Sequence, residues 1–240
     1  MTNIDFRVSP TTVQQQVVEK LRSAISHGVF KPGDRLLEAE LCSMLGVSRP
    51  SVREALRSLE AEKLVSLVPN KGPYIPVLPW ERASEIYRVR ALLEGEAAAL
   101  AAARSSTAEM EEMRRSLEEF EQAVNAADSL AQVSATTKFY SELFRLCGNQ
   151  IIEETVKGLL ARINFMRMQS MSRPGRAKIS LQEMKAIADA VEAGDADAAR
   201  LAAVYHVEQA HLSAKKAWTA MEGNSPKARS RQPSKRAVLD

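Results

Sequence analysis

Three arginines, Arg49, Arg53 and Arg57, recur at four-residue spacing in one short stretch of the chain. On a helix, that spacing sets guanidinium groups about one turn apart. A guanidinium matches guanine O6 and N7 on the floor of a DNA major groove, and one good bidentate contact is worth about 1–3 kcal/mol of discrimination. In the same stretch Val52, Ala55, Leu56 and Leu59 cluster on one side at 100° per residue. Arg53 and Arg57 fall on the other side, with Pro50, Ser51 and Glu54 beside them and Arg49 at the border. Ser48 stands at the N-cap position and Pro50 suits a first helical turn. The start of this helix therefore offers free N–H groups and a positive dipole end, both favourable to phosphate. A surface helix whose arginines merely pair with Glu54, Glu60 or Glu62 would carry the same charges, so the surrounding elements decide.

Those elements form an ordered set. Thr11 or Thr12 with Gln14 or Gln15 can make a capping box, and Val17, Val18, Leu21 and Ile25 follow at helical spacing. Gly28 and Lys31-Pro32-Gly33 end that helix. A short helix over Glu38–Leu45 and the turn Gly46-Val47-Ser48 lead into the arginine-bearing helix, predicted over 49–62. Two helices joined by a glycine-containing turn are the helix-turn-helix pattern. The period then changes. Runs over 64–68 and 74–77 flank Pro69-Asn70-Lys71-Gly72 and predict a two-stranded hairpin, with Pro76 at an edge or strand end. Its tip, Asn70-Lys71-Gly72, would be a wing against the minor groove or backbone, although the same residues serve an ordinary turn.

From Trp80 onward every signal is helical, with helices expected over 81–104, 107–126, 128–146, 149–171, 179–193 and 195–220. Ser106 with Glu109 and Ser180 with Glu183 resemble capping boxes, and Ser172-Arg173-Pro174-Gly175 is the clearest break. The fold class expected is mainly α. It comprises a winged helix-turn-helix over residues 1–78, an antiparallel bundle of six helices over 79–221, and a flexible basic tail over 222–240 with Lys227, Arg229, Arg231, Lys235 and Arg236.

Composition narrows the function classes. The chain has 240 residues, 45% hydrophobic and 26% charged, with a net charge of only +3, so any nucleic-acid partner must be met by local charge. Two cysteines, Cys42 and Cys147, fit reduced thiols better than a disulfide framework. The longest apolar run, Ala97–Ala103, is too short to cross a bilayer, and no apolar signal region opens the chain. A cytoplasmic protein with no membrane partner is expected. Only three histidines occur, and His206 and His211 lie five apart rather than on one helix face. No Ser-His-Asp set or glycine-rich phosphate loop appears, so an enzyme is not expected.

The run Leu21-Arg22-Ser23-Ala24-Ile25, then Gly28 through Leu36, Glu40-Leu41, Gly46 through Arg49, Val52 through Leu56 and Leu59-Glu60 resembles the GntR family of bacterial regulators. The resemblance spans about residues 11–78 and implies a winged helix-turn-helix in which Ser48, Arg49, Arg53 and Gly72 contact DNA. With the helix reading above, the DNA-binding candidates are Arg35, Ser48, Arg49, Ser51, Arg53, Arg57, Lys71 and Gly72. Lys63 replaces a glycine usual before the hairpin. Ala39 stands where some relatives place a DNA-contacting arginine, so no contact is assigned there.

Residues 81–220 resemble, more loosely, the helical effector domain of the FadR-like branch, called FCD, and six helices place it with the VanR-like subgroup. The matching residues include Glu85 through Arg90, Leu93-Glu94, Gly148-Asn149, Ala190 through Asp195 and His206. Many such domains hold a divalent metal on one Asp and three His. Here those positions read Thr136, Tyr140, Met184 and His206, a poor donor set for Zn²⁺ or Mn²⁺, so no metal and no cofactor is expected. A cavity between helices remains as the effector site. Thr136, Tyr140, Met184 and His206 would line its floor by resemblance, with Arg90, Arg162, Arg167 and Asn164 as wall candidates. Arginines favour a carboxylate or other anionic metabolite, unless they are consumed by Glu94, Glu153 or Glu154. The resemblance implies a homodimer on double-stranded DNA with a palindromic operator, acting as a repressor under small-molecule control. The alternative is an architectural DNA binder with no ligand response.

Overall fold

In this computed structural model the described residues are 13–26, 28–104 and 107–224. Thr11, Thr12, His27, Ser106 and the basic residues of the tail lie outside them, with the capping and tail expectations placed there. The chain divides into two compact units, Met1–Leu78 and Pro79–Asp240.

The first unit is built on three helices, α1 (Val13–Ser26), α2 (Glu38–Leu45) and α3 (Arg49–Ala61). Each contributes one apolar stripe to a shared core: Val17, Val18 and Leu21 from α1, Leu41 from α2, and Val52, Ala55, Leu56 and Leu59 from α3. Losing a buried leucine such as Leu56 or Leu59 would cost about 2–5 kcal/mol, so this stripe fixes the rotation of α3 about its axis. Gly46 ends α2 in the left-handed region at φ 66°, where its N–H donates to the Cys42 carbonyl and turns the chain into α3.

The hairpin is shorter than its sequence suggests. Strands β1 (Ser66–Val68) and β2 (Gly72–Tyr74) pair antiparallel, with Val68 opposite Gly72 and Ser66 opposite Tyr74. Leu64 and Val65 do not join β1. Their N–H groups donate to the Leu59 carbonyl and their side chains are buried, which spends them on closing the end of α3. Beyond Tyr74 the backbone pairs with another segment: the Ile75 N–H donates to the Asp34 carbonyl, and Arg35 bridges Tyr74. Pro76 stands outside the strand. Gly72 has φ 77° and open space around its missing Cβ, so the turn geometry alone requires glycine there.

Among the described residues the second unit has six α-helices: α4 (Trp80–Arg104), α5 (Glu111–Asn125), α6 (Ser129–Cys147), α7 (Gln150–Met171), α8 (Arg176–Glu192) and α9 (Ala196–Asn224), with a 3₁₀ turn at Thr107–Met110. Helix α9 thus runs past residue 221 into the segment assigned to the tail. Long α4 and α9 pack antiparallel through small residues. Ala97, Ala98, Ala101 and Ala102 of α4 are buried, and a Cβ on Gly95 would come within 2.9 Å of Val204 Cγ2. Aromatic and aliphatic groups, including Phe120, Phe139, Leu143 and Phe144, fill the core between α5, α6 and the α4–α9 pair. Asp128 and Asn149 cap α6 and α7, each accepting from two backbone N–H groups of the first turn.

Helix α8 corrects one expectation. It starts at Arg176 behind left-handed Gly175, which places Ser180 and Glu183 inside the helix rather than in a capping box. Arg176, Ser180 and Glu183 then share one buried face at spacings of four and seven residues.

Lys63 adopts φ 63°, the left-handed conformation that a glycine takes without cost. Replacing it should relieve about 1 kcal/mol of strain. Lys63→Gly is expected to shift the urea midpoint upward with unchanged slope, and an unchanged or lower midpoint would contradict the strain.

Candidate functional site

The outer face of α3 is open. Arg49, Arg53 and Arg57 are exposed on the side opposite the buried stripe. The Arg53 Nε donates to the Glu38 carboxylate at 2.9 Å, and no bond from its two terminal nitrogens occurs among the described residues. Arg57 Nη1 donates to Glu54 Oε1 at 2.7 Å. Exposed pairs of this kind are worth about 0–1 kcal/mol, less than a bidentate guanine contact, so they orient the arginines without consuming them. Glu60 and Glu62 are engaged elsewhere, with the Leu67 N–H and with Arg22.

Ser48 is the N-cap residue in extended conformation, yet its hydroxyl makes no capping bond and instead meets the Ser51 hydroxyl at 3.0 Å. The first-turn N–H groups of α3 therefore have no side-chain cap. On the wing, Lys71 is exposed and Asn70 takes φ 65°. Arg35 donates to the Lys71 carbonyl at 2.5 Å, so it braces the hairpin turn.

The second unit holds a small, partly open cavity of about 30 Å³, room for one or two water-sized groups. It lies between α4 (Tyr87, Arg90), α6 (Thr136, Tyr140), α7 (Arg167, Ser170), α8 (Arg176, Ser180) and α9 (His206). Two guanidinium groups in its wall are neutralised in place. Arg90, 1% exposed, donates from Nε to Glu94 Oε1 at 2.6 Å, and its Nη2 reaches Tyr140 Oη at 3.4 Å. Arg176 forms a two-pronged pair with Glu183, both contacts at 2.7 Å, and Glu183 also meets His206 Nδ1 at 2.7 Å. Burial, the largest single effect, would lower the Arg90 pKa, but the Glu94 charge and hydrogen bond together with Tyr140 and Tyr87 outweigh it and the pKa is raised. Burial would raise that of Glu183, but bonds from His206 and Arg176 hold it below its ordinary value.

Arg167 differs. It forms no ion pair among the described residues; its guanidinium lies 5.9 Å from the Tyr140 ring centre and reaches Asn164 Oδ1 only at 3.5 Å. Burial and then the charge of Arg90 lower its pKa. Three buried donors of the cavity wall also lack partners: Tyr87 Oη, Arg90 Nη1 and Arg176 Nε. Tyr87 in turn stacks on His211, which stacks on Trp80 at the head of α4.

These residues do not fit a divalent metal. Thr136 Oγ1 donates to the Gln132 carbonyl, Met184 Sδ accepts from Ser180, and Tyr140 Oη lies against a guanidinium. His206 Nδ1 is taken by Glu183, and three cationic side chains surround the space. Among the described residues no three His, Cys, Asp or Glu side chains gather in a way that could hold a metal ion.

Of the cavity candidates from sequence, Arg90, Thr136, Tyr140, Arg167 and His206 meet at one space. Met184 lies fully buried beside it under Ser180, and Asn164 borders it through Arg167. Arg162 is not in the wall, and its Nε is buried without a partner. It sits on α7 five residues before Arg167, about 140° away around the helix. Tyr87, Arg176 and Ser180 were missed. A helix beginning at residue 179, as the Ser180–Glu183 capping pattern suggests, leaves Arg176 in a loop, whereas α8 begins at Arg176. Both cysteines are free thiols, and among the described residues no helix is long and apolar enough to cross a membrane.

Comparison with known proteins agrees with this architecture. Residues 6–75 match the gntR family of bacterial regulatory proteins, and residues 85–209 match the FCD domain. An HTH-type transcriptional regulator of Bacillus subtilis, YdhC, is 29% identical over 204 residues, covering 84% of this chain and 91% of that protein. The galactonate operon transcriptional repressor of Escherichia coli is 28% identical, covering 79% and 91%. The structure of E. coli McbR/YncC superposes with a TM-score of 0.79 at 23% identity, covering 87% and 100%, and shows the same fold. With a helix-turn-helix and wing ahead of a helical FCD domain, the chain belongs to the GntR family of bacterial transcriptional regulators, which bind DNA through the first domain and small-molecule effectors through the second.

Proposed function

We propose that this protein is a homodimeric repressor that reads a palindromic operator with α3 and leaves it when a small anionic metabolite occupies the FCD cavity. The observation that carries the proposal is the two-sidedness of α3: its aliphatic stripe is buried completely while Arg53 and Arg57 stand free of the core. Arg53 reads a base edge, with Arg49 and Arg57 beside it. Ser48 and Ser51 meet phosphate at the helix start, and Lys71 and the Gly72 backbone approach from the wing. Arg35 acts by holding the wing turn in shape.

Names of several relatives support the repressor reading, since the galactonate operon protein is itself called a repressor. The homodimer is supported by exposed apolar side chains on the two packed helices α4 and α9: Val89 and Leu92 on one, Leu201, Tyr205 and Leu212 on the other. Six α-helices in the second unit support the VanR-like placement. The effector must bind two arrangements of the dimer with different affinity, only one of which suits the operator spacing.

Arg53→Ala should weaken binding to DNA from the gene's own upstream region by about tenfold or more, the equivalent of 1–3 kcal/mol, with a much smaller loss on random DNA. Equal loss on both, measured by gel shift at fixed salt, would remove the base-reading role and favour an architectural binder. Leu92→Glu combined with Leu201→Glu should convert dimer to monomer in sedimentation velocity. Persistence of the dimer would place the interface on another face.

A further inference from the structure

The FCD cavity lacks a metal's donors and carries more positive charge than its own carboxylates neutralise. Arg90, Arg167 and Arg176 line it, while Glu94 is bonded to the first and Glu183 to the third, which leaves Arg167 without a counter-charge. Arg167 is half-buried, so water reaches part of its guanidinium, but the positive charge it adds to the wall still favours an anion over a neutral or cationic ligand. Each partnerless polar atom in the wall can donate a hydrogen bond: the Tyr87 hydroxyl, Arg90 Nη1 and Arg176 Nε, of which the two guanidinium nitrogens cannot accept one. These residues are 2%, 1% and 7% exposed, so bulk water does not satisfy them. Three guanidinium groups and a free hydroxyl, with no carboxylate left unpaired among them, describe the complement of a planar oxyanion.

We infer that the protein binds a carboxylate directly on Tyr87, Arg90, Arg167 and Arg176, with the Arg167 charge doing the work that a bound metal ion would otherwise do. The inference rests on the effector reading above and deepens it. The ligand's carboxylate accepts from the two arginines already fixed by Glu94 and Glu183, and Arg167 supplies the neutralising charge. Because Arg90 and Arg176 are held by their own glutamates, they are pre-oriented and lose little freedom on binding. His206 acts as a positioning residue through Glu183, which it and Arg176 hold from two sides. A volume of about 30 Å³ admits a carboxylate head, and a larger ligand body extends through the open side or displaces neighbouring side chains.

The test is calorimetric titration of the full-length protein with acetate, succinate and inorganic phosphate, after dialysis against EDTA and again with added Mn²⁺ or Zn²⁺. At least one of the two carboxylates is expected to bind the EDTA-treated protein saturably, more tightly than phosphate does, and with a Kd that added metal changes less than twofold. Tyr87→Phe removes only the partnerless hydroxyl; it should leave thermal stability equal or higher and weaken carboxylate binding about tenfold. Arg167→Gln should abolish binding while the circular dichroism of the helices is retained. The inference is overturned if neither carboxylate binds the wild type more tightly than Arg167→Gln. It is also overturned if phosphate outcompetes both, if binding requires the divalent ion, or if either ion alone binds tightly at one per chain. Gel shift on the same preparations separates the two claims: retained operator binding with no carboxylate binding sinks this inference alone, whereas loss of sequence-selective DNA binding sinks the regulator reading.

Discussion

Everything in the DNA-facing half of this protein depends on the burial of one side of α3. Val52, Ala55, Leu56 and Leu59 are at most 1% exposed, and together they hold the helix against α1 and the short α2. A rotation of 100° would carry Arg53 to the middle of the buried face and Ala55 into water, at a cost of several kcal/mol. The arginines need no strong contact of their own to face outward. Their pairs with Glu38 and Glu54 are weak surface interactions that orient the guanidinium groups and yield readily to a better acceptor.

The second unit uses charge in the opposite setting. Arg90–Glu94 and Arg176–Glu183 are almost wholly buried, where an unpaired charge would be several kcal/mol worse than a paired one. Such pairs contribute little net stability, but they hold direction. Each leaves one nitrogen without a partner beside a cavity that also contains the unneutralised Arg167. A site made of fixed donors discriminates by chemistry: an acceptor-rich ligand satisfies it, while a cation or a neutral donor leaves the same atoms stranded. Thr136, Tyr140, Met184 and His206 lie in or beside this space and serve it as packing and as supports for the arginines.

How much of this could be read from sequence differs between the two halves for a physical reason. In α3 the period of the aliphatic residues sets the helix phase, so the outward position of Arg53 and Arg57 follows from spacing alone. The hairpin was legible as a pair of β-prone runs, but not its length, because Leu64 and Val65 are β-prone residues spent on closing α3 and Pro76 cannot donate. In the bundle, α4 and α9 are apolar and small on several sides, so period does not say which face meets which neighbour. Arg162 and Arg167 look alike in sequence, and only packing separates the one beside the cavity from the one away from it. The face carrying Arg176, Ser180 and Glu183 follows the simple spacing of four and seven residues. It was hidden by starting α8 three residues late, at a serine and glutamate that mimic a cap.

The central claim, that α3 reads base edges through its arginines, is tested most directly by scanning an operator with 7-deazaguanine, which removes only the N7 acceptor of each guanine in turn. Wild-type protein should lose about tenfold in affinity at one guanine per half-site, and Arg53→Ala protein should be indifferent to the same replacement. A scan in which no guanine matters more to the wild type than to the Arg53→Ala protein would contradict the account.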